Sequence, residues 1–313
     1  MALLGRNKTS PRLIPELDDG DLGRIRKQLK PSTMPGMVDF NVDAVERLVK
    51  EADTDWDRRW HRISVLAEVC ADSNFDRSWQ LRRPRSVDAL VFSASVAAVR
   101  VRRGEPATEL GEAVQSCLRA GEARPPDPLP HVALLALLRL MRSPTHELNE
   151  VWQAVILRDP WNREAHLQVL GYLTPEECGA PGQAREFVDM QLARMPQGVP
   201  AAGLELTAAV MDFHRATAGD NLSAILADMW WGRPHAAGVL DRALSAWTRP
   251  GFLRHAAALA DLNLLAYALV HAGRAPEAAP VFRQLGTTVT AWPWSHQGAP
   301  VEQFARGRSR SLR

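Results

Sequence analysis

Tyrosine occurs only twice in the 313 residues, and each time a side-chain amide precedes it by four positions: Gln168 before Tyr172 and Asn263 before Tyr267. On a helix that spacing sets amide and phenol one turn apart on the same face. Together they offer donors and acceptors enough to hold an extended peptide backbone. The plainer role for such a pair is interhelical packing with the hydroxyl satisfied inside. Other chemistry is sparse. The nine histidines form no H-E-x-x-H, and Glu164/His166, Asp212/His214 and His146-Glu147 are scattered pairs, so no metal site is expected. Asp18, Asp19 and Asp21 precede a short helix without a second motif that would complete a metal site. Neither G-x-S-x-G nor G-x-G-x-x-G occurs. Lysine stands only at Lys8, Lys27, Lys30 and Lys50. Nothing beyond position 50 can therefore act as a phosphate-loop lysine or a Schiff-base amine. No catalytic residues and no cofactor are expected.

The elements that would carry the amide–phenol pairs read as helices. From Val42 the apolar residues fall into successive stripes: Val42, Val45, Leu48 and Val49; Ile63, Ala67 and Cys70 after Trp56 and Trp60; Val87, Leu90, Val91, Ala94 and Ala98; Leu110, Ala113, Val114 and Cys117. No window joins strict alternation to β-branched residues, so strands are not expected. Pro125, Pro126, Pro128 and Pro130 mark an internal boundary. Past it, Ser143-Pro144, Asp159-Pro160 and Thr174-Pro175-Glu176-Glu177 read as helix starts. Further helices are expected over 183–195, 203–217, 221–231, 234–247 and 252–272, after Pro276, and from Pro300. Trp230 and Trp231, adjacent on a helix, should not both point inward. The Trp292-Pro293-Trp294 run should pack on the last hairpin. Residues 1–40, with Pro11, Pro15, Pro31 and Pro35, read as a mobile arm holding one short helix over 18–30. Residues 41–123 read as helical hairpins, 131–286 as repeats and 287–313 as a tail with a short helix.

Leu262, Leu265-Ala266, Leu269, Gly273, Ala278, Phe282 and Leu285 follow the spacing of the tetratricopeptide repeat, with large residues where antiparallel helices touch and small ones at close approach. Leu167, Leu170-Gly171, Phe187 and Pro196 outline a second unit, and Leu134 to Pro160 a third. The chain thus resembles a degenerate tetratricopeptide-repeat protein over about a third of its length. Pro280, inside the last helix, departs from that pattern. The resemblance implies an all-α, irregular solenoid of antiparallel helix pairs. It also implies that Gln168, Tyr172, Asn263 and Tyr267 face a concave groove where extended peptides bind.

Composition limits the partners. A net charge of +2 gives no field that would draw the chain to nucleic acid or a membrane surface. The longest apolar runs, 89–99 and 132–138, fall short of the ~20 residues that cross a bilayer. The N-terminal residues hold no apolar signal region. Cys70, Cys117 and Cys178 lie far apart, as reduced thiols of a cytoplasm do. Arginine in preference to lysine, with abundant alanine, suggests GC-rich codons and a bacterial source. The expected function is a non-catalytic helical scaffold that binds a protein or peptide segment, with the oligomeric state open. The alternatives are an enzyme whose site assembles across helices without a local motif, and a structural or regulatory domain serving a separate partner module.

Overall fold

The computed structural model describes residues 10–29, 37–218 and 229–313, with the backbone alone over 37–40. The expected 221–231 helix therefore falls largely outside the described residues, as do the proline-rich 30–36 and the first nine positions of the arm. The described chain is all-α apart from one two-residue ladder. It divides into two compact units, residues 18–204 and residues 10–17 with 205–313.

The 18–204 unit holds α1 (Gly20–Gln28), α2 (Met37–Lys50), α3 (Trp56–Cys70), α4 (Phe75–Arg82), α5 (Val87–Arg102), α6 (Leu110–Ala123), α7 (Leu129–Leu140), α8 (Thr145–Ile156), α9 (Arg163–Tyr172) and α10 (Gln183–Leu192). Its centre is α5, buried without interruption from Val87 to Phe92 and again from Ala94 to Arg100, and packed by α3, α4, α6 and α7. A helix apolar all round belongs inside a core, not on its edge. Phe75, Trp79 and Phe92 meet there, the Phe75 and Phe92 rings edge to face at 5.9 Å. The polar groups buried with them come as partners. Arg59 pairs with Asp88 and lies 3.5 Å from Asp127. Arg100 Nη2 lies 3.1 Å from Asp76. The α6 and α7 helices pack on each other across the proline run that marked a boundary.

Part of the expected arm is docked. Asp19 caps α1 by accepting from Leu22 N–H, and Arg62 Nε donates to its other oxygen at 2.8 Å. Leu22 is fully buried. Asp19 is thus spent on starting a helix and pairing a buried arginine, while Asp21 pairs with the exposed Arg24 at 2.9 Å.

In the other unit, α11 (Leu204–Thr217), α12 (Pro234–Trp247), α13 (Ala258–His271), α14 (Ala275–Leu285) and α15 (Pro300–Ser311) share one apolar core. β1 (Arg12–Leu13) pairs in parallel with β2 (Thr288–Val289). Residues 287–313 are part of this core: Trp294 stands 5.2 Å from Tyr267 and 5.4 Å from Phe304, ring to ring. Trp230 and Trp231 are both buried, contrary to expectation. Helical geometry stops at Trp230, so the 100° divergence of neighbouring side chains does not apply across the pair.

Thr174-Pro175 does not open a helix. Thr174 Oγ1 donates back to Gly171 C=O, residues 174–178 form a turn, and α10 starts later, after Gly182 in the left-handed region. Among the described residues no helix is long and apolar enough to cross a membrane.

Candidate functional site

The amide–phenol pairs lie inside the protein. In the 18–204 unit, Gln168 accepts from Arg139 Nη1 at 3.0 Å and donates to Glu164, while Arg139 forks onto both oxygens of Glu177. Tyr172, 2% exposed, donates to Ser143 C=O at 2.6 Å. In the other unit, Asn263 donates to Leu259 and Thr288 carbonyls and accepts from Trp294 Nε1 at 3.0 Å, tying α13 to β2 and the tail. Tyr267 OH lies 3.0 Å from His214 Nε2. Gln168, Tyr172, Asn263 and Tyr267 are all buried, with their polar groups bonded to neighbouring helices, loops or the tail. The reason is plain in α13, where every residue from Asp261 to Leu269 is buried and no open face remains. A turn-apart amide and phenol mark one face of a helix; they do not say whether that face is wet.

An open groove does exist, one helix face away. Between α8 and α10 a cavity of about 510 Å³ is floored by Leu148, Trp152, Val169 and Phe187, all buried. The floor is braced by rings. Trp152 meets His166 edge to face at 4.8 Å and Phe187 at 5.7 Å, and Trp161 stacks on His166. Burial holds the His166 imidazole below its usual pKa, so the floor is neutral. The rim is polar. Asn149 and Gln153, one turn apart on α8, are exposed, and their amides have no partner among the described residues. Across the groove stand Gln183, Glu186 and Arg194, with Met190 at 58% exposure between them. An apolar floor with convergent, unspent amides is the composition of a recognition site.

The 205–313 unit gathers a different set. His214 on α11 stacks on His296 with centroids 3.7 Å apart and planes 4° from parallel. Tyr267 and His271 on α13 stand 4.2 Å apart, and Trp292 closes on His214 from the side. Burial, then the neighbouring His296 and His271, push His214 down to about 3. Burial, then His296 and Arg310, push His271 down to about 4. Burial also lowers His296 and raises Tyr267. Near neutrality the imidazoles are uncharged and the phenol keeps its proton. Among the described residues no group of three or more histidine, cysteine or acidic side chains is placed to hold a metal ion.

No protein-family model, curated protein or solved structure matches the chain. Both constellations are therefore read from their own geometry. Sequence reasoning passed over Asn149, Gln153 and Gln183 because exposed amides on an amphipathic helix are ordinary surface. It weighed His214 only as a scattered candidate metal ligand beside Asp212, because 53 residues separate it from Tyr267.

Proposed function

We propose that the protein is a non-catalytic helical scaffold that holds an extended peptide segment of a partner protein in the α8–α10 groove. The observation that carries this reading is the pair of unpartnered amides, Asn149 and Gln153, above a rigid apolar floor. Peptide backbone needs donors and acceptors at regular intervals, and apolar side chains need a dry floor between them. Twelve-residue α8 spans ~18 Å at 1.5 Å per residue, which matches about five residues of extended chain at 3.3 Å each. Consecutive packing of α7 on α8, α8 on α9 and α13 on α14 supports the finer reading of an irregular, tetratricopeptide-like stack of helix pairs.

Selection from a displayed library of random heptapeptides tests the proposal. Peptides that bind the parent should lose about tenfold in affinity, ~1.4 kcal/mol, against Gln153→Ala, and more against Met190→Glu. Selected peptides that bind both variants as they bind the parent would place recognition elsewhere.

One observation favours a second reading, an enzyme assembled across helices. The neutral imidazoles of His214, His271 and His296 beside the Tyr267 phenol form a set of proton acceptors and one donor. Stabilisation of the parent by a small molecule, lost in His296→Ala, would turn the assignment towards that site.

A further inference from the structure

The two rims of the α8–α10 groove differ in charge. The α8 side, with Asn149 and Gln153, carries none, whereas the α10 side carries Glu186 near its start and Arg194 just past its end. Both are exposed, and neither has an ion pair among the described residues. Met190 lies halfway between them, four residues from each, and brings the apolar floor of Trp152 and Phe187 up to this rim. Residues four apart share a helix face, so acid, thioether and base form one stripe along the groove. The backbone is still right-handed at Ala193, which keeps Arg194 on that stripe.

The helix dipole favours an acid at the start of α10 and a base at its end, on whatever face they stand. It does not account for this order, because Arg185 and Asp189, outside the groove, run the other way, base before acid. The spacing suits an extended ligand. Successive members of the stripe rise about 6 Å at 1.5 Å per residue, and alternate residues of an extended chain stand about 6.6 Å apart at 3.3 Å each.

We propose that the groove selects extended segments of a partner protein in which a basic, an apolar and an acidic residue stand at alternate positions. The base lies against Glu186, the apolar side chain against Met190 and the acid against Arg194. This selectivity rests on the reading of the groove as a peptide site. The two rim charges cancel, so the net charge of a segment attracts nothing here, and the placement of its charges decides. A segment with two like charges at the outer positions sets one of them against its own sign. The pairs are exposed, which keeps the discrimination modest, roughly fivefold.

Fluorescence anisotropy with three labelled heptapeptides tests the idea at about 50 mM salt, where exposed charges are weakly screened. Each peptide has leucine at its centre and serine spacers. Two residues to either side of the leucine stand one lysine and one glutamate, two lysines, or two glutamates. The parent should bind the mixed peptide roughly fivefold tighter than either like-charged one. Chain direction does not affect this comparison, since the mixed peptide meets both rim charges correctly in one of its two directions. Glu186→Lys should move the preference to the glutamate pair, and Arg194→Glu to the lysine pair. Both positions are exposed, so both variants should keep the parent's circular dichroism spectrum and melting midpoint. Three peptides bound alike by the parent, none bound at all, or a preference unmoved in both variants would overturn the proposal. Binding without preference that is still lost in Met190→Glu would leave the groove as the peptide site. Should the heptapeptide library also yield nothing dependent on Gln153, the groove reading falls with it.

Discussion

Acidification should destabilise the 205–313 unit through two named side chains. An unfolded histidine titrates near 6.5, whereas His214 and His271 are held down to about 3 and about 4 in the folded unit. Below pH 6.5 the unfolded chain therefore takes up protons that the folded chain refuses. The sign follows: the contribution is complete above 6.5 and is lost as pH falls towards about 4. Each group costs 1.36 kcal/mol per pH unit across that window, so moving from pH 7 to pH 5 removes about 2 kcal/mol for each. The edge of His214 is partly solvated, and screening there brings the pair to about 3 kcal/mol. The groups that set this cost are the Tyr267 phenol, the stacked His296, Phe213 and Trp292 rings, and the Arg310 charge near His271. Thermal unfolding followed by circular dichroism at the two pH values reads the effect, about 10 °C for a unit of this size. His296 in the same unit, and His131 and His166 in the 18–204 unit, are also lowered by burial, so the pair must be isolated by variant. A His214→Gln/His271→Gln protein keeps polar side chains that cannot take the proton, and most of the difference should disappear. An unchanged pH 7 to pH 5 loss in that protein, or an NMR titration placing either histidine near 6.5, would refute the reasoning.

Three substitutions test the interior. In Gly171→Ala the new Cβ would lie 2.2 Å from the Arg139 guanidinium, forcing it off Gln168 and Glu177, so urea unfolding should show a loss of about 2–3 kcal/mol. Arg59→Met leaves Asp88 and Asp127, at 1% exposure each, with only the half-exposed Arg124 between them, 4.0 Å from Asp88 and 3.2 Å from Asp127. The cost should be about 3–5 kcal/mol by the same assay, with partial recovery in Arg59→Met/Asp88→Asn. Tyr172→Phe strands the Ser143 carbonyl and should cost about 1–2 kcal/mol, whereas an unchanged midpoint would mean that the hydroxyl is solvated after all.

Helix positions were legible where a pattern and its punctuation agreed. Pro234 to Trp247 is bounded as expected because proline at the first turn fixes the start and the apolar stripe fixes the face. The short N-terminal helix was legible for a related reason, since acids lead, Arg26 and Lys27 trail, and Asp19 caps. Thr174-Pro175-Glu176-Glu177 misled because the same residues also suit a tight turn. There the Thr174 hydroxyl bonds backward to Gly171 instead of forward to a helix N–H. Gly171 itself has a reason that no repeat pattern states: it is the gap through which Arg139 reaches Gln168 and Glu177.

The candidate sites were less legible because periodicity reports which residues share a face, not which face stays wet. Tyr172 and Tyr267 stood out by their rarity, yet a phenol satisfied by a carbonyl or an imidazole stabilises a core as readily as it holds a ligand. The residues with chemistry to spare are the inconspicuous ones. Asn149 and Gln153 are ordinary in composition and become informative only when Trp152 and Phe187 are seen to leave a floor beneath them. There function is argued from unspent hydrogen bonds. That quantity is fixed by where distant helices bring partners, and a linear pattern does not contain it.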